Sequence, residues 1–283
     1  MTSMLDYIWY PAILSLAILA FSGLIYVGAP IPVAAYAPVF LVGVAILVLE
    51  RWYPERTNWR PRSDDVKADA AFLAFVQVGL PRLLVVLTVL LLSAWTHDHF
   101  RLGIWPQSWP LAVQIIAMVV IVDFMRYWLH RACHHYPKLW RLHEVHHSPE
   151  LLYVLNVGRF HPLEKILHFS LDTVPFLVLG VAPQVIAGYF LLYSVNGFFQ
   201  HSNLRLRYGW LNYVVGSAET HRWHHARDPK TAACNFSNTT ILWDLVFGTW
   251  YLPSHVTVPD IGVINRRYPR GFLAQMVAPF RRT

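Results

Sequence analysis

The chain has 283 residues, of which 55% are hydrophobic and only 14% are charged, and its formal net charge is +7. A soluble globular domain carries about 25% charged residues, so this composition argues against a disordered chain, a lysine-coated nucleic-acid-binding domain and a soluble enzyme. It predicts an integral membrane protein, in which the positive charge need not indicate an anionic substrate because Arg and Lys gather on one side of the bilayer.

Hydropathy predicts four membrane-spanning helices in the first half of the chain. A span needs about 20 mostly apolar residues, and the segments that meet this requirement are 8–27, 31–49, 70–94 and 109–129. Pro81 and Arg82 interrupt the third span, where an arginine either snorkels or faces the protein interior. A later apolar stretch at 166–199 is broken by Pro175 and by the turn at 180–183, which favours a helical hairpin that dips into the bilayer over two complete spans.

The arginine distribution predicts the orientation in the membrane. No Lys or Arg precedes Arg51, whereas the loop at 51–67 and the tail at 253–283 are rich in arginine. By the positive-inside rule the loop, the segment after Leu129 and the tail are cytoplasmic and the N-terminus is outside. We therefore expect a multi-pass protein of a bacterial inner membrane, with its active site on the cytoplasmic face.

Twelve of the 15 histidines lie between His130 and His225, mostly in short motifs. Residues at i, i+3 and i+4 share one face of a helix, so we expect each H-x-x-H-H motif to project its three histidines together. Imidazole suits Fe, Zn, Cu and Ni, and nine imidazoles exceed the four ligands of a structural zinc. The sequence therefore predicts two metal ions. The nine expected ligands are His130, His134, His143, His146, His147, His201, His221, His224 and His225.

Asp123 is a candidate of a different kind, because it lies deep in the fourth span, seven residues before His130 and on the same helix face. A buried acid in the membrane is functional by default, so we group it with Asn156 and His161 as candidate catalytic residues. Arg126, three residues along, is its expected ion-pair partner, with a purely structural pair as the alternative.

Other polar residues near the motifs are expected to support the ligands. Asn156 and Asn203 are candidates to hydrogen-bond a ligand or a metal-bound water, with turn formation as the alternative. His135 lies about 100° from His134 on a helix, which favours a supporting or surface role. A carboxylate can orient a ligand imidazole by a hydrogen bond to its second nitrogen. For each candidate carboxylate, helix capping or a solvated position is the alternative. The candidates are Glu144, Glu150, Glu164, Glu219, Asp228 and Asp244.

The order H-x-x-x-H, H-x-x-H-H, H-x-x-H-H resembles the fatty acid hydroxylase and sterol desaturase superfamily of membrane di-iron oxygenases. The blocks DFMRYWLHR, LHEVHHSPE, NVGRFHPLE, FQHSN, HRWHHARDP and NFSNTTILWDLVFGTWY also look like family blocks, in the family's order. The resemblance implies an all-α integral membrane protein: about four transmembrane helices plus a membrane-dipping hairpin, capped by a cytoplasmic histidine-rich metal domain. The expected division is 1–109 for the N-terminal helices, 110–252 for the catalytic domain and 253–283 for a basic tail.

The same resemblance implies O2-dependent hydroxylation or desaturation of a lipid by two iron ions held by the nine histidines, with hydroxylation as the expected outcome. It makes His161, which precedes an expected helix start at Pro162, either a tenth ligand or a residue at the cavity mouth. The substrate class stays open among fatty acyl chains, sterols, ether lipids, carotenoids and amino-acid lipid headgroups. Since the sequence has no G-x-G-x-x-G fingerprint and no cysteine cluster, a separate reductase, ferredoxin or cytochrome-type electron donor is implied.

Two other functions compete with the oxygenase. His143, Glu144 and His147 satisfy the H-E-x-x-H pattern of a zinc metalloprotease, but this reading leaves His146 and the HRWHH motif unexplained. A metal transporter or a haem-binding electron carrier is the second competitor. A transporter is expected to have histidines and acidic residues inside its membrane spans, whereas most histidines of these motifs lie beyond the ends of the predicted spans.

Overall fold

The computed structural model describes residues 3–95, 103–254, 256–258 and 260–281, and all regular secondary structure in these ranges is helical. Four of its helical segments are long and apolar enough to cross a membrane, which confirms the expected all-α membrane fold. These segments are Met4–Tyr26, Ile31–Trp52, Ser63–Thr88 and Leu111–His135.

Among the described residues up to His135, the chain forms five helices and one π-helical segment. They are α1 (Met4–Tyr26), α2 (Ile31–Trp52), α3 (Ser63–Ala71), the π-helical segment Phe72–Gly79, α4 (Leu80–Trp95) and α5 (Leu111–His135). The chain is continuous from α3 through the π-helical segment into α4, so Pro81 does not interrupt the third span. Proline lacks the N–H of the normal helical bond, and wider π turns commonly accompany such a local mismatch.

Helix α9 (Pro183–His201) lies at the centre of the bundle, packed against α1, α2 and α5. Its buried Val195 and Phe199 belong to the same apolar core as Tyr10 of α1 and Ile46 of α2. The Tyr10 hydroxyl donates a hydrogen bond to Asn196 Oδ1 at 3.0 Å. This packing fixes the end of α9, and therefore His201, relative to the first two helices.

Helical structure is interrupted twice within the apolar stretch at 166–199. Helix α7 (Pro162–Asp172) ends at Thr173, and α8 (Val174–Leu179) ends at Gly180, whose φ of 78° is a left-handed cap that glycine adopts without a side-chain clash. The second break lies where the sequence predicted it. None of α7, α8 and α9 is among the four helices long and apolar enough to span a bilayer, and the depth of this hairpin in the membrane stays a prediction.

Five shorter helices complete the described chain around the ends of α5 and α9. They are α6 (Pro137–His147), α10 (Ala218–His224), α11 (Pro229–Ala232), α12 (Leu242–Val246) and α13 (Phe272–Val277). The C-terminal segment is folded onto the rest, since Phe272 packs edge-on against Phe72 and the Gln275 amide donates to Ser148 Oγ at 3.0 Å.

The buried charges of α5 have partners that sequence spacing did not predict. Arg126 forms an ion pair with Asp172 of α7, at 2.7 Å between Nη1 and Oδ2, so the expected pair with Asp123 is wrong. The Asp123 carboxylate instead accepts hydrogen bonds from the backbone N–H groups of Thr239 and Thr240. Tertiary contacts therefore override the i, i+3 relation that suggested the pair.

Gly216 is a position where the fold has no room for a side chain. A Cβ at this residue would lie 2.7 Å from the carbonyl oxygen of Asn238 and 2.7 Å from Gln200 Nε2. Gly216→Ala should cost about 1–3 kcal/mol through overpacking, which lowers the apparent melting temperature in detergent by about 2–4 °C per kcal/mol. Gly23→Ala is the control, because nothing lies within 4 Å of the added carbon. An equal loss in both variants would contradict this account of packing at Gly216.

Candidate metal centre

The nine predicted histidines converge in two groups, within each of which the potential ligand nitrogens all lie within 4.8 Å of one another. We call them the five-histidine group and the four-histidine group. All of these side chains are buried except His130 and His134, which are partly exposed. The five-histidine group consists of His130, His134, His143, His147 and His224, and the four-histidine group consists of His146, His201, His221 and His225.

Each H-x-x-H-H motif divides its histidines between the two groups, so the expectation that all three project together is wrong. On α6, His143 and His147 join the five-histidine group and His146 joins the other. On α10 the arrangement is reversed, because His224 alone enters the five-histidine group. The physical reason is that adjacent residues on a helix point about 100° apart, whereas i and i+4 nearly coincide in direction.

In the five-histidine group, three imidazoles are held by hydrogen bonds at Nδ1. His130 donates to the carbonyl oxygen of Phe236 at 2.7 Å, and His224 donates to that of Cys234 at 2.8 Å. His143 Nδ1 lies 2.6 Å from Glu164 Oε1, a carboxylate on α7. Such outer contacts set the tautomer and ring orientation of a metal-binding histidine.

The four-histidine group has the same kind of support. His146 Nδ1 donates to the carbonyl oxygen of Arg159 at 3.3 Å, and His201 Nδ1 donates to Asn156 Oδ1 at 2.9 Å. The Asn156 amide nitrogen donates to the carbonyl oxygen of Leu151 at 2.8 Å, which fixes the direction of its oxygen. Arg159 is itself paired with Asp69 of α3, with Nε 2.6 Å from Oδ1.

These contacts leave His130, His224 and His201 each with an unprotonated Nε2 that faces another imidazole. A carbonyl oxygen accepts but cannot donate, so the proton of His130 and of His224 resides on Nδ1 and their Nε2 atoms carry lone pairs. His130 Nε2 lies 3.0 Å from His143 Nε2, and His224 Nε2 lies 3.1 Å from His147 Nε2. In the other group, His221 Nε2 lies 3.1 Å from His201 Nε2 and 3.0 Å from His225 Nε2.

Burial keeps the histidines neutral, because desolvation lowers the pKa of His143 and His146 well below 6.5 and that of His224 to about 4. Neutral imidazole is the form that binds metal ions. Convergent lone pairs in a buried site repel one another and attract a cation. The donor set therefore fits two metal ions, one in each group.

Comparison with known proteins agrees with this geometry. Residues 115–249 match the family model described as fatty acid hydroxylase. The chain is 32% identical to an ornithine lipid hydroxylase of Rhizobium tropici over 253 residues, which cover 86% of this chain and 75% of that protein.

The chain belongs to the fatty acid hydroxylase and sterol desaturase superfamily. It is also 29% identical to an alkylglycerol monooxygenase of Xenopus tropicalis, over 52% of this chain and 31% of that protein. A very-long-chain aldehyde decarbonylase of Oryza sativa is 27% identical over 76% of this chain and 86% of that protein. No solved structure matches the chain. The hydroxylases and monooxygenases among these relatives are oxidoreductases, and this protein is an oxidoreductase too.

Three other candidate residues lie outside both histidine groups. His161 is the N-cap of α7, where its Nδ1 accepts from the backbone N–H of Leu163 and its Nε2 donates to the carbonyl oxygen of Met276. His135 is exposed. Asn203 does not contact a ligand histidine, since it exchanges hydrogen bonds with the backbone of Arg56 in the loop after α2. We therefore leave these residues out of the proposed metal site.

Among the six candidate carboxylates, Glu164 is the one that contacts a histidine of the groups, and it also lies 3.5 Å from His168 Nε2. The other carboxylates have structural contacts instead. Asp244 accepts from the backbone N–H groups of Phe236 and Ser237, and Asp228 caps α11. Glu219 accepts from Tyr208 N, Glu150 pairs with Arg227 and Arg270, and Glu144 is partly exposed.

A cavity of about 340 Å³ connects the histidines with the apolar helices. Its walls include His130, His143, His146, His201 and His221. The rest of the lining is mainly apolar and comes from α2, the π-helical segment and α9, including Val39, Phe40, Val78, Phe190 and Phe198. The sequence did not predict which residues line this cavity, because that depends on how α2, α9 and the π-helical segment pack together.

Removing the carboxylate of Glu164 should weaken metal binding. Loss of an outer hydrogen-bond partner typically lowers metal affinity about 10–100-fold, so Glu164→Ala should release metal at chelator concentrations that native protein withstands. Metal content per chain by mass spectrometry after graded chelator treatment provides the measurement. Glu144→Ala is the matched control and should retain metal, whereas a protease of the H-E-x-x-H type predicts no such distinction in favour of Glu164.

His161 should be dispensable for metal binding. His161→Ala removes the helix cap and the contact with Met276 but no nitrogen of either group. We expect metal content like that of native protein, together with a stability loss of about 1 kcal/mol from the cap. Metal loss in His161→Ala as large as in His146→Ala would show instead that His161 is a tenth ligand.

Proposed function

We propose that this protein is an O2-dependent di-iron membrane oxygenase that hydroxylates a C–H bond of a lipid. The observation that carries the proposal is the pair of buried histidine groups, whose ring nitrogens converge beside an apolar cavity. Family membership and the lipid-hydroxylating relatives support the same reaction class.

One iron ion would be held by each group, and when bound the two ions would supply the redox chemistry that activates O2. Acid–base chemistry cannot activate a lipid C–H bond, so the residues of the chain contribute by positioning the metal ligands and the substrate. The Nδ1 contacts hold the rings of His130, His146, His201 and His224 in fixed orientations. The cavity admits a hydrocarbon chain and keeps water away from the reacting carbon.

For the substrate we propose an amino-acid lipid such as an ornithine lipid. The match with the Rhizobium tropici hydroxylase covers 86% of this chain, so it extends beyond the histidine motifs into the N-terminal helices, whereas the match with the Xenopus alkylglycerol monooxygenase covers 52%. Since the cavity is lined by α2 and α9 as well as by the histidines, similarity across the N-terminal helices bears on substrate choice. One of these relatives is named a hydroxylase and the other a monooxygenase, which favours hydroxylation over desaturation as the outcome here.

We further propose residues 110–252 as the catalytic portion, with the N-terminal helices at 1–109 and the basic tail at 253–283. Both histidine groups would lie at the cytoplasmic side, where the arginine-rich loop and tail gather. A separate reductase, ferredoxin or cytochrome-type protein would deliver electrons. Of the three catalytic candidates, Asn156 is proposed to orient His201, and Asp123 to hold the loop at Thr239 and Thr240 that borders the cavity residue Asn238.

The competing functions have less support. A zinc protease requires Glu144 at the metal, but this side chain is partly exposed and belongs to neither group. It also leaves the four-histidine group without a role. A transporter or haem carrier does not account for two histidine groups next to an apolar cavity, nor for similarity to lipid oxidoreductases.

Metal analysis tests the di-iron proposal directly. Detergent-purified protein should contain two iron ions per chain, one for each histidine group. The double variant His221→Ala and His225→Ala removes two ligands of the four-histidine group and should lower the iron content to one per chain or less. A single zinc that survives this double variant but is lost on His143→Ala would overturn the proposal and favour the protease.

Lipid analysis tests the reaction. Cells that express native protein should accumulate a lipid heavier by one oxygen atom, and the added atom should carry the label when labelled O2 is supplied. The double variant His221→Ala and His225→Ala is the control and should produce none. A product that forms without O2, or whose new oxygen comes from water, would contradict an oxygenase.

A further inference from the structure

An open groove of about 440 Å³ reaches the five-histidine group separately from the apolar cavity. Of the nine candidate ligands, His134 lines this groove, and none of the five that line the apolar cavity does so. The walls come from the last turns of α5, including Trp128 and Arg131, and from the chain between 233 and 249. We call this space the His134 groove.

One side chain separates the His134 groove from the apolar cavity. Within the described chain, Phe236 alone lines both spaces. It is buried, and its ring centre lies 5.6 Å from that of His130, which lines the cavity, and 5.3 Å from that of His134, which lines the groove. A molecule in the groove therefore approaches a candidate metal ligand without entering the space proposed for the lipid.

The groove also lies where a water-soluble protein can reach it. Its α5 residues are at the end of a helix long and apolar enough to cross the bilayer. Trp128 and Tyr136 in its wall are 43% and 58% exposed. His134 is partly exposed, whereas every member of the four-histidine group is buried. The rate of electron transfer falls steeply with distance, so an external donor needs an accessible ligand, and His134 meets this requirement.

Four cations surround the His134 groove. Arg131 is part of its wall. Lys138 and Lys230 are exposed and lie two and three positions along the chain from residues of the wall. Arg141 extends this surface, because it is exposed and lies three positions after Lys138 on α6. Within the described chain, none of the four has a carboxylate at ion-pair distance.

The carboxylates nearby do not balance these cations at the surface. Glu144 on α6 is partly exposed, and Asp228 is exposed and caps α11. Asp244 is buried behind the groove wall, where it accepts hydrogen bonds from Phe236 N and Thr249 Oγ1. Four cations at the surface thus stand against two carboxylates. This excess of positive charge favours encounter with an acidic partner.

We propose, on the basis of the di-iron oxygenase function above, that the His134 groove is the docking site of the electron donor, and that this donor is an acidic, soluble, one-electron carrier protein. Insertion of one atom of O2 into a C–H bond, with the other atom released as water, consumes two electrons and two protons. The carrier loses one electron at each encounter, so two encounters serve each product. Transient electron-transfer complexes bury little surface and depend on charge for their association, which fits a small groove with a cationic rim.

Binding of carrier proteins tests the docking site without turnover. Iron-loaded enzyme in nanodiscs of zwitterionic lipid, without substrate or reductant, is titrated by biolayer interferometry with three oxidised probes. These are an acidic [2Fe–2S] ferredoxin, an acidic flavodoxin and a basic cytochrome c. Native enzyme should bind at least one acidic carrier about tenfold more tightly than cytochrome c. Its affinity should fall as salt is added, because salt screens exposed charges.

The double variant Lys138→Glu and Lys230→Glu should bind the acidic carrier about tenfold more weakly, since attractive charge pairs are replaced by like charges. Arg60→Glu with Arg62→Glu is the matched control and should bind like native enzyme. Both arginines are exposed, lie in the loop after α2 that is expected on the same side of the membrane, and give the same change in charge. Ala233→Trp keeps every charge but fills the groove from an exposed wall residue, and should weaken binding comparably.

Iron content like that of native enzyme verifies that each variant is folded. Three results would refute the docking site: native enzyme that binds neither acidic carrier, an equal loss of binding in the two double variants, or undiminished binding by Ala233→Trp. Because no turnover is needed, such a failure is distinguishable from failure of the iron and oxygen-labelling experiments, which test the oxygenase function itself.

Discussion

The placement of one proton on each imidazole is the constraint on which this structure depends. A histidine presents a lone pair at one nitrogen only if its other nitrogen carries the proton. For four of the nine histidines, a backbone carbonyl oxygen or the amide oxygen of Asn156 enforces that choice; the four are His130, His146, His201 and His224. The contacts that position those acceptor oxygens therefore also orient the imidazoles of both histidine groups.

Buried carboxylates in the helices position the acceptors. Asp244 accepts from the backbone N–H groups of Phe236 and Ser237, and Asp123 accepts from those of Thr239 and Thr240. The loop that supplies carbonyl oxygens to two histidines is thus held by two acids, one of them on a membrane helix. Asp69 has a comparable role through its ion pair with Arg159. Hydrogen bonds and ion pairs of buried carboxylates therefore connect the apolar helices to the loops that orient the histidines.

Much of this was predictable from the sequence, and the failures have physical reasons. Composition and hydropathy predict the four long helices, and helical spacing predicts that the nine histidines converge. The division of His146 from His147 was missed, although the same angular rule had separated His135 from His134. The partner of Arg126 was missed because Asp172 lies 46 positions away, beyond any local pattern. Backbone acceptors such as Cys234 O have no sequence signature at all.

Neighbouring histidines on α6 and at the C-terminal end of α10 belong to different groups. The two groups are therefore linked through two peptide bonds, His146–His147 and His224–His225. Insertion of one residue inside either motif would turn every later histidine by about 100° and send it toward the wrong group. Connections between the motifs carry no such angular restriction, since loops tolerate changes in length. We therefore expect length variation among proteins built on this plan to be confined to the connections, while the motifs themselves keep a fixed number of residues.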